Sequence, residues 1–322
     1  MIMAINPNGP GADRLQPAAE RRDFSATGVT SRREKLIGIC CAVGVVLLFS
    51  SFVLVSRYGL RTELEPADLA FVRFVVAGLI VLPIFWRNGT AGLRLPQAIA
   101  LATLGAIGFV LLAYHGFDRA PASHGSALLH GTLPGFSLLF AYLFAGQSPG
   151  NLSLAGAVTI ASGVVLIIWD SLAVADGSQL GGDFLLLCAA ASWAGYGLLV
   201  GRLALPALTA AALITTLAAA CYLPIYLVAR SSHLLTLPLK ELIVQALFQG
   251  TLVGTVSVIL YTRVVQALGP NAAALSAAFV PALTTVLAIP MLGETPSVAA
   301  ILGVLLVTLG ILVPIILRRR LW

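Results

Sequence analysis

Apolar residues in this chain run in long blocks, and the charged residues sit in the gaps between them. Ten blocks reach the roughly 17–25 residues that a helix needs to cross a bilayer. They are Leu36–Val55, Ala67–Trp86, Gln97–Phe117, Ala122–Phe144, Leu152–Trp169, Gly182–Leu203, Leu208–Ala229, Leu242–Val265, Asn271–Leu292 and Val298–Leu317. The gaps are short, so sequential helices are expected to run antiparallel. Gly and Pro inside the blocks do not argue against helix, because neighbouring helices and water satisfy the freed backbone groups. Residues 1–35 lack apolar periodicity and are expected to be a disordered tail. No small-residue cleavage site follows the first block, so it reads as a span rather than a signal peptide.

The chain also resembles itself. At an offset of 147, Pro134 meets Pro281, Gly146 meets Gly293, Pro149 meets Pro296, Gly156 meets Gly303 and Gly163 meets Gly310. At an offset of 145, VLVSR (53–57) meets LLVGR (198–202). Apolar matches mean little in such a chain, but Gly and Pro fix backbone geometry, and five coincide. The expected division is a first repeat at 36–170, a linker on the outer side at 171–181, a second repeat at 182–317 and a basic tail at 318–322. Five spans per repeat make the second copy enter the membrane from the opposite side. The expected fold is therefore an all-α integral membrane protein with ten transmembrane helices in two inverted five-helix repeats. Secondary transporters are built this way, with the substrate site near the midplane between the halves.

Composition agrees. Hydrophobic residues make up 59% of the chain and charged residues 10%, against about 25% charged in a globular domain. The net charge is +6, but the basic residues gather at span ends and in the tails. That excludes nucleic acid as the reason for the charge and leaves the lipid bilayer as the partner. Of the 19 Lys and Arg, 13 fall on the side of the N-terminus, five on the other, and Arg73 within a span. This bias places both termini in the cytoplasm. Cys40, Cys41, Cys188 and Cys221 sit in apolar runs without CxxC spacing and are expected to be buried small hydrophobes.

From residue 36 to 317 the chain resembles the EamA type of the drug/metabolite transporter superfamily. The resemblance rests on SSFVLVSRYGL and LEPADLAFVRFVVAGLIVLP in the first two helices, and on the paired stretches LPGFSLLFAYLFAGQSP and VPALTTVLAIPMLGETP. It implies ten helices, a cytoplasmic N-terminus, and export or exchange of small metabolites across a bacterial inner membrane. Arg73 matches a family arginine in the second helix. The family's Gly-Glu after the fourth helix is Gly146-Gln147 here, while the second copy keeps Gly293-Glu294.

Polar residues inside spans carry the functional expectations. In the fourth helix, Ser123, Ser126, His130 and Ser137 fall on one stripe at helical spacing. The stripe fits substrate contact, a proton-responsive His130, or hydrogen-bonded helix packing. Arg73 lies about 10 Å deep at 1.5 Å per residue. It is placed either to snorkel towards Glu65 or Asp68 or to bind an anionic group in a cavity. Trp193 and Tyr196 share a face of the sixth helix, suited to packing or to ligand stacking. Gln245 and Gln249 share a face of the eighth. His115, Asp118 and Arg119 read as a solvated helix end.

No enzyme chemistry assembles. Walker A and HExxH motifs are absent, and no GxSxG nucleophile elbow is expected. Glu63, Glu65, Asp68, Asp170, Asp176, Asp183, Glu241 and Glu294 fall at span ends or in loops, so no buried acid is expected to carry a proton. Metal and cofactor are not expected. The expectation is a transporter of small polar metabolites, such as amino acids, with Arg73, Ser126, His130, Trp193, Tyr196 and Gln249 as pocket residues. Proton coupling through His130 stays open. The rival readings are a flippase for lipid or hydrophobic drugs, a membrane scaffold, and an intramembrane enzyme using the histidines.

Overall fold

A computed structural model describes residues 32–173, 177–234, 236 and 238–320. It contains ten helices long and apolar enough to span a bilayer. They are α1 (Arg32–Leu60), α2 (Pro66–Asn88), α3 (Leu95–Arg119), α4 (Ala122–Phe144) and α5 (Asn151–Leu172), then α6 (Ser178–Arg202), α7 (Ala207–Ala229), α8 (Leu239–Leu268), α9 (Ala272–Leu292) and α10 (Val298–Leu317). The end where α1 begins is the near end here, and the end where it finishes is the far end.

Most ends shift outwards from the sequence expectation. The helix of α1 begins at Arg32, so Arg32–Lys35 belong to it rather than to a tail. Ser171 and Leu172 complete α5, and α6 starts at Ser178, just after Gly177 reverses the chain at φ 66°. The expected linker is correspondingly shorter, and Asp183 lies more than a turn inside α6. Hydropathy reports the apolar stretch alone, whereas backbone hydrogen bonding carries a helix on into polar residues. The helix of α10 runs on to Arg320. The rest of the expected N-terminal tail lies outside the described residues.

The packing maps onto itself when each helix is exchanged for the one five later. α5 lies along α10 and α2 along α7, α3 packs on α6 as α8 packs on α1, and α4 meets α6 as α9 meets α1. Local irregularities repeat too. A π-helical stretch interrupts α3 at Thr103–Ile107 and α8 at Ala246–Val256. Thr132 (φ −89°, ψ −11°) breaks α4 ahead of Pro134, and Phe279 (φ −82°, ψ −12°) breaks α9 ahead of Pro281. Gly146 (φ 65°, ψ 18°) and Gly293 (φ 66°, ψ 18°) end these helices in the left-handed region that glycine adopts without strain. The amides of Gln147 and Glu294 then bond back to Ala141 O and Ala288 O.

Two expectations are corrected. Cys40 and Cys221 are exposed, and Cys41 and Cys188 are only part-buried. An apolar side chain gains nothing by leaving lipid, so it need not face the protein core. Ser137 also leaves the polar stripe of α4. The π turn at Ala127–Gly131 and the break at Thr132 shift the helix phase, so Ser123 and Ser126 are buried while Ser137 is exposed. Trp86 and Trp169, near opposite ends of the bundle, are largely exposed, as interfacial anchors are.

Candidate functional site

In the main core, Phe74, Tyr114, Phe117 and Leu128 are fully or almost fully buried. A polar relay runs through it from three helices. The Tyr114 hydroxyl on α3 donates to Gln249 Oε1 on α8 at 3.1 Å. The Gln249 amide donates to Ser56 Oγ on α1 at 2.9 Å and to Gln245 Oε1 at 3.1 Å. Gln245 donates to Val55 O at 2.9 Å, and Ser56 to Phe52 O at 2.5 Å. The spacing of Gln245 and Gln249, four apart, gives the shared face that this relay needs.

Arg73 of α2 enters beside the relay. Its Cζ lies 5.1 Å from the centre of the Phe52 ring, a cation–π contact, and its charge acts on the Tyr114 hydroxyl. It turns onto Phe52 rather than back towards Asp68, whose carboxylate accepts from the Tyr226 hydroxyl at 2.6 Å and from the Glu65 amide at 2.7 Å. The Arg73 Nη1 is buried and has no hydrogen-bond partner among the described residues. His130 of α4 closes the group. Its ring stacks on Phe49 at 5.5 Å and meets Phe52 edge-on at 6.2 Å, and its buried Nδ1 likewise has no partner there.

Three of the six expected pocket residues, Arg73, His130 and Gln249, thus gather around Phe52 and Tyr114. The other three are placed differently. Ser126 Oγ is buried within reach of Ser123 O at 3.2 Å and Pro281 O at 3.5 Å, next to the Ser50 bond to Val280 O at 3.4 Å. These serines tie α1 and α4 to the break in α9. Trp193 and Tyr196 form an aromatic group with Phe109, at 4.7 and 5.0 Å, with Tyr196 against Gly105 in the π turn of α3.

A second set of polar groups closes the far end, and the sequence reading did not anticipate it. Glu294, just past α9, accepts from Arg57 Nε, Arg61 Nη2 and, at 2.7 Å, the Ala122 amide. Arg57 and Glu294 side chains are each 13% exposed. Beside them, His124 is fully buried between two acids. Its Nδ1 lies 3.1 and 3.2 Å from the Asp183 oxygens, and its Nε2 lies 3.1 Å from Asp170 Oδ2. Asp183 is also fully buried, as is Asp68, which corrects the expectation that these acids offer no buried candidate to carry a proton. A cavity of about 180 Å³ opens between these groups, lined by Ser123, His124, Asp170, Gln179, Glu294 and Ser297 among others. The acids face opposite ring nitrogens, so they do not converge on one point. Among the described residues no three His, Cys, Asp or Glu form a metal-binding group.

Ten apolar helices in two alike halves, with buried polar groups where the halves meet, define a polytopic membrane protein of the transporter kind. The EamA-like transporter family model matches residues 36–169 and 180–316, and the chain belongs to that family. Among curated proteins none matches the sequence. A solved structure titled "Crystal structure of protein" is 21% identical and aligns over 90% of this chain and 98% of that one, with a TM-score of 0.57. At that identity the likeness concerns the fold alone.

Proposed function

We propose that this chain is a secondary transporter that exports or exchanges small polar metabolites, amino acids or related solutes, by alternating access. In this reading it lies in a bacterial inner membrane with both termini cytoplasmic, the far end is the periplasmic one, and the two repeats are inverted. Rocking of one half on the other exposes the central site to each side in turn.

One observation carries the substrate class: the buried Nη1 of Arg73, without a hydrogen-bond partner among the described residues, beside the Tyr114–Gln249–Ser56 relay. A buried charged donor left without an acceptor is costly. A substrate carboxylate supplies the acceptor in the geometry a guanidinium favours. Phe52 and Phe49 give the site an apolar wall, and the relay offers hydroxyl and amide groups.

The test is uptake of a labelled amino-acid panel into proteoliposomes preloaded with unlabelled solute. Saturable exchange that is lost in Arg73→Ala supports the reading. Exchange indifferent to Arg73, or absent across the panel, overturns the substrate class. The second reading, a flippase, draws on an apolar cavity of about 220 Å³ bounded by Pro134, Leu138, Gly156, Gly310 and Pro314. It predicts scrambling of a headgroup-labelled lipid in the same vesicles.

A further inference from the structure

His124 has a carboxylate at both ring nitrogens. A neutral imidazole carries one N–H and one lone pair, so either tautomer would set a lone pair against a carboxylate oxygen. Two hydroxyls aim at the acids as donors. Ser171 donates to Asp183 Oδ2, and Ser297 donates to Asp170 Oδ1 at 2.6 Å. The remaining contacts of the ring among the described residues, Ser171 Oγ at 3.3 Å and the Gln179 amide at 3.5 Å, are both at Nδ1. The cluster is therefore satisfied only with one proton more than a neutral imidazole and two carboxylates hold. With that proton both ring nitrogens donate, each to an ionised acid.

The contacts also cross between repeats. His124 on α4 and Asp170 on α5 belong to the first, and Asp183 on α6 and Ser297 ahead of α10 belong to the second. We infer that His124, held between Asp170 and Asp183, is a proton-binding site that latches the far end, closed with the proton bound and released when it leaves. This deepens the transporter reading and rests on it. Loss of the proton turns two attractive contacts into one attractive and one repulsive, with both acids still charged. The proton exchanges with the far-side medium through the cavity that His124 and Asp170 line.

Among the described residues, the other charged groups near the ring have partners of their own or point away. Glu294 lines the same cavity, but it accepts from Arg57 and Arg61 of α1 and from the Ala122 amide. On α3, Asp118 and Arg119 are exposed, and the Arg119 stem lies against Gly182 of α6. Asp170→Asn takes away the carboxylate at Nε2 and with it one of the two contacts that the bound proton makes.

The experiment reads opening directly. Cys40, Cys41, Cys188 and Cys221 are replaced by Ala, and buried Ser123, which lines the cavity, is replaced by Cys. Reaction with a membrane-impermeant maleimide is followed in proteoliposomes as the far-side pH is raised. It is divided by the reaction of Glu63→Cys, exposed at the same end, to remove the thiol's own pH dependence. The ratio is expected to rise about tenfold on release of the proton. It should be flat in added His124→Gln, and in Asp170→Asn its profile should be displaced along the pH axis or lost. A flat ratio before either change, or an unaltered profile in both variants, overturns the latch. Amino-acid exchange is measured on the same vesicles. A pH-dependent ratio without exchange sinks the amino-acid reading and leaves the latch standing, while exchange with a flat ratio does the reverse.

Discussion

Gly156 on α5 and Gly310 on α10 each lie against the other's carbonyl oxygen. A Cβ built on Gly156 would fall 2.6 Å from Gly310 O, and one built on Gly310 would fall 2.8 Å from Gly156 O. Gly163 and Gly303 repeat the arrangement at 2.7 and 2.9 Å. Gly156 corresponds to Gly303 in the internal repeat, and Gly163 to Gly310. The pairs are therefore exchanged by the same operation that exchanges the halves, as close packing through small residues allows. Backbone oxygens cannot swing aside as side-chain ends can. Gly156→Ala and Gly310→Ala should each force the helices apart and cost about 1–3 kcal/mol. Thermal unfolding in detergent checks this, with Gly135→Ala as control, because a Cβ there meets nothing within 4 Å.

The repeat was legible in sequence because glycine and proline act through the backbone, where their effect does not depend on neighbours. Pro134 and Pro281, and Gly146 and Gly293, announced breaks and caps that the structure reproduces within a few degrees. Gln249 was legible for a related reason, since its partner Gln245 is one helical turn away. Tyr114 was not, because nothing in an apolar run of α3 says that its hydroxyl meets α8. His124 was not legible because its partners, Asp170 and Asp183, come from α5 and α6, and no spacing within α4 points to them. Asp183 was read as a loop-end residue because hydropathy begins the sixth span at Gly182, four residues after the helix does. Arg57 and Glu294, 237 residues apart, meet only through the packing of α1 on α9.

Tyr114→Phe removes one hydroxyl from a fully buried relay. Gln249 Oε1 then loses its donor in a place water does not reach. An unsatisfied buried acceptor costs about 1–3 kcal/mol, more than the net worth of the lost bond. Tyr114→Phe should therefore lower the unfolding midpoint. Changing both partners to apolar groups, Tyr114→Phe with Gln249→Leu, leaves Ser56 and Gln245 short of Gln249's amide and should be no better. A rise in stability in the double variant would contradict the relay as drawn.

Arg73→Lys keeps the charge and loses the planar fork. Lysine cannot grip a carboxylate with two parallel donors or lie across Phe52 as guanidinium does. Exchange of the labelled amino-acid panel should fall at least about tenfold, mainly through a raised half-saturation concentration. The unfolding midpoint should fall only by what the Phe52 contact is worth, about 0.5–2 kcal/mol, because Nη1 has no hydrogen-bond partner to lose among the described residues. A larger fall in the midpoint, together with the loss of exchange, would assign Arg73 to packing rather than to substrate.

The two ends of the bundle carry unequal locks. At the far end Arg57 and Arg61 hold the carboxylate of Glu294. The repeat places Arg202 where Arg57 stands and Gln147 where Glu294 stands, and here Arg202 donates to Phe144 O instead while Gln147 is exposed. A charged, part-buried lock is harder to break than a neutral one, because separation leaves both charges uncompensated until water arrives. The equilibrium should therefore favour a closed far end. Glu294→Gln removes the charged lock of the far end and should raise maleimide labelling of Ser123→Cys about tenfold or more, since tenfold needs only about 1.4 kcal/mol. Gln147→Glu should raise it too, by giving Arg202 a carboxylate and strengthening the near end. Adding Arg202→Leu to Gln147→Glu should cancel that rise, whereas adding it to Glu294→Gln should not lower labelling. Labelling unmoved by both single changes would show that the charge difference between the ends does not set which one opens.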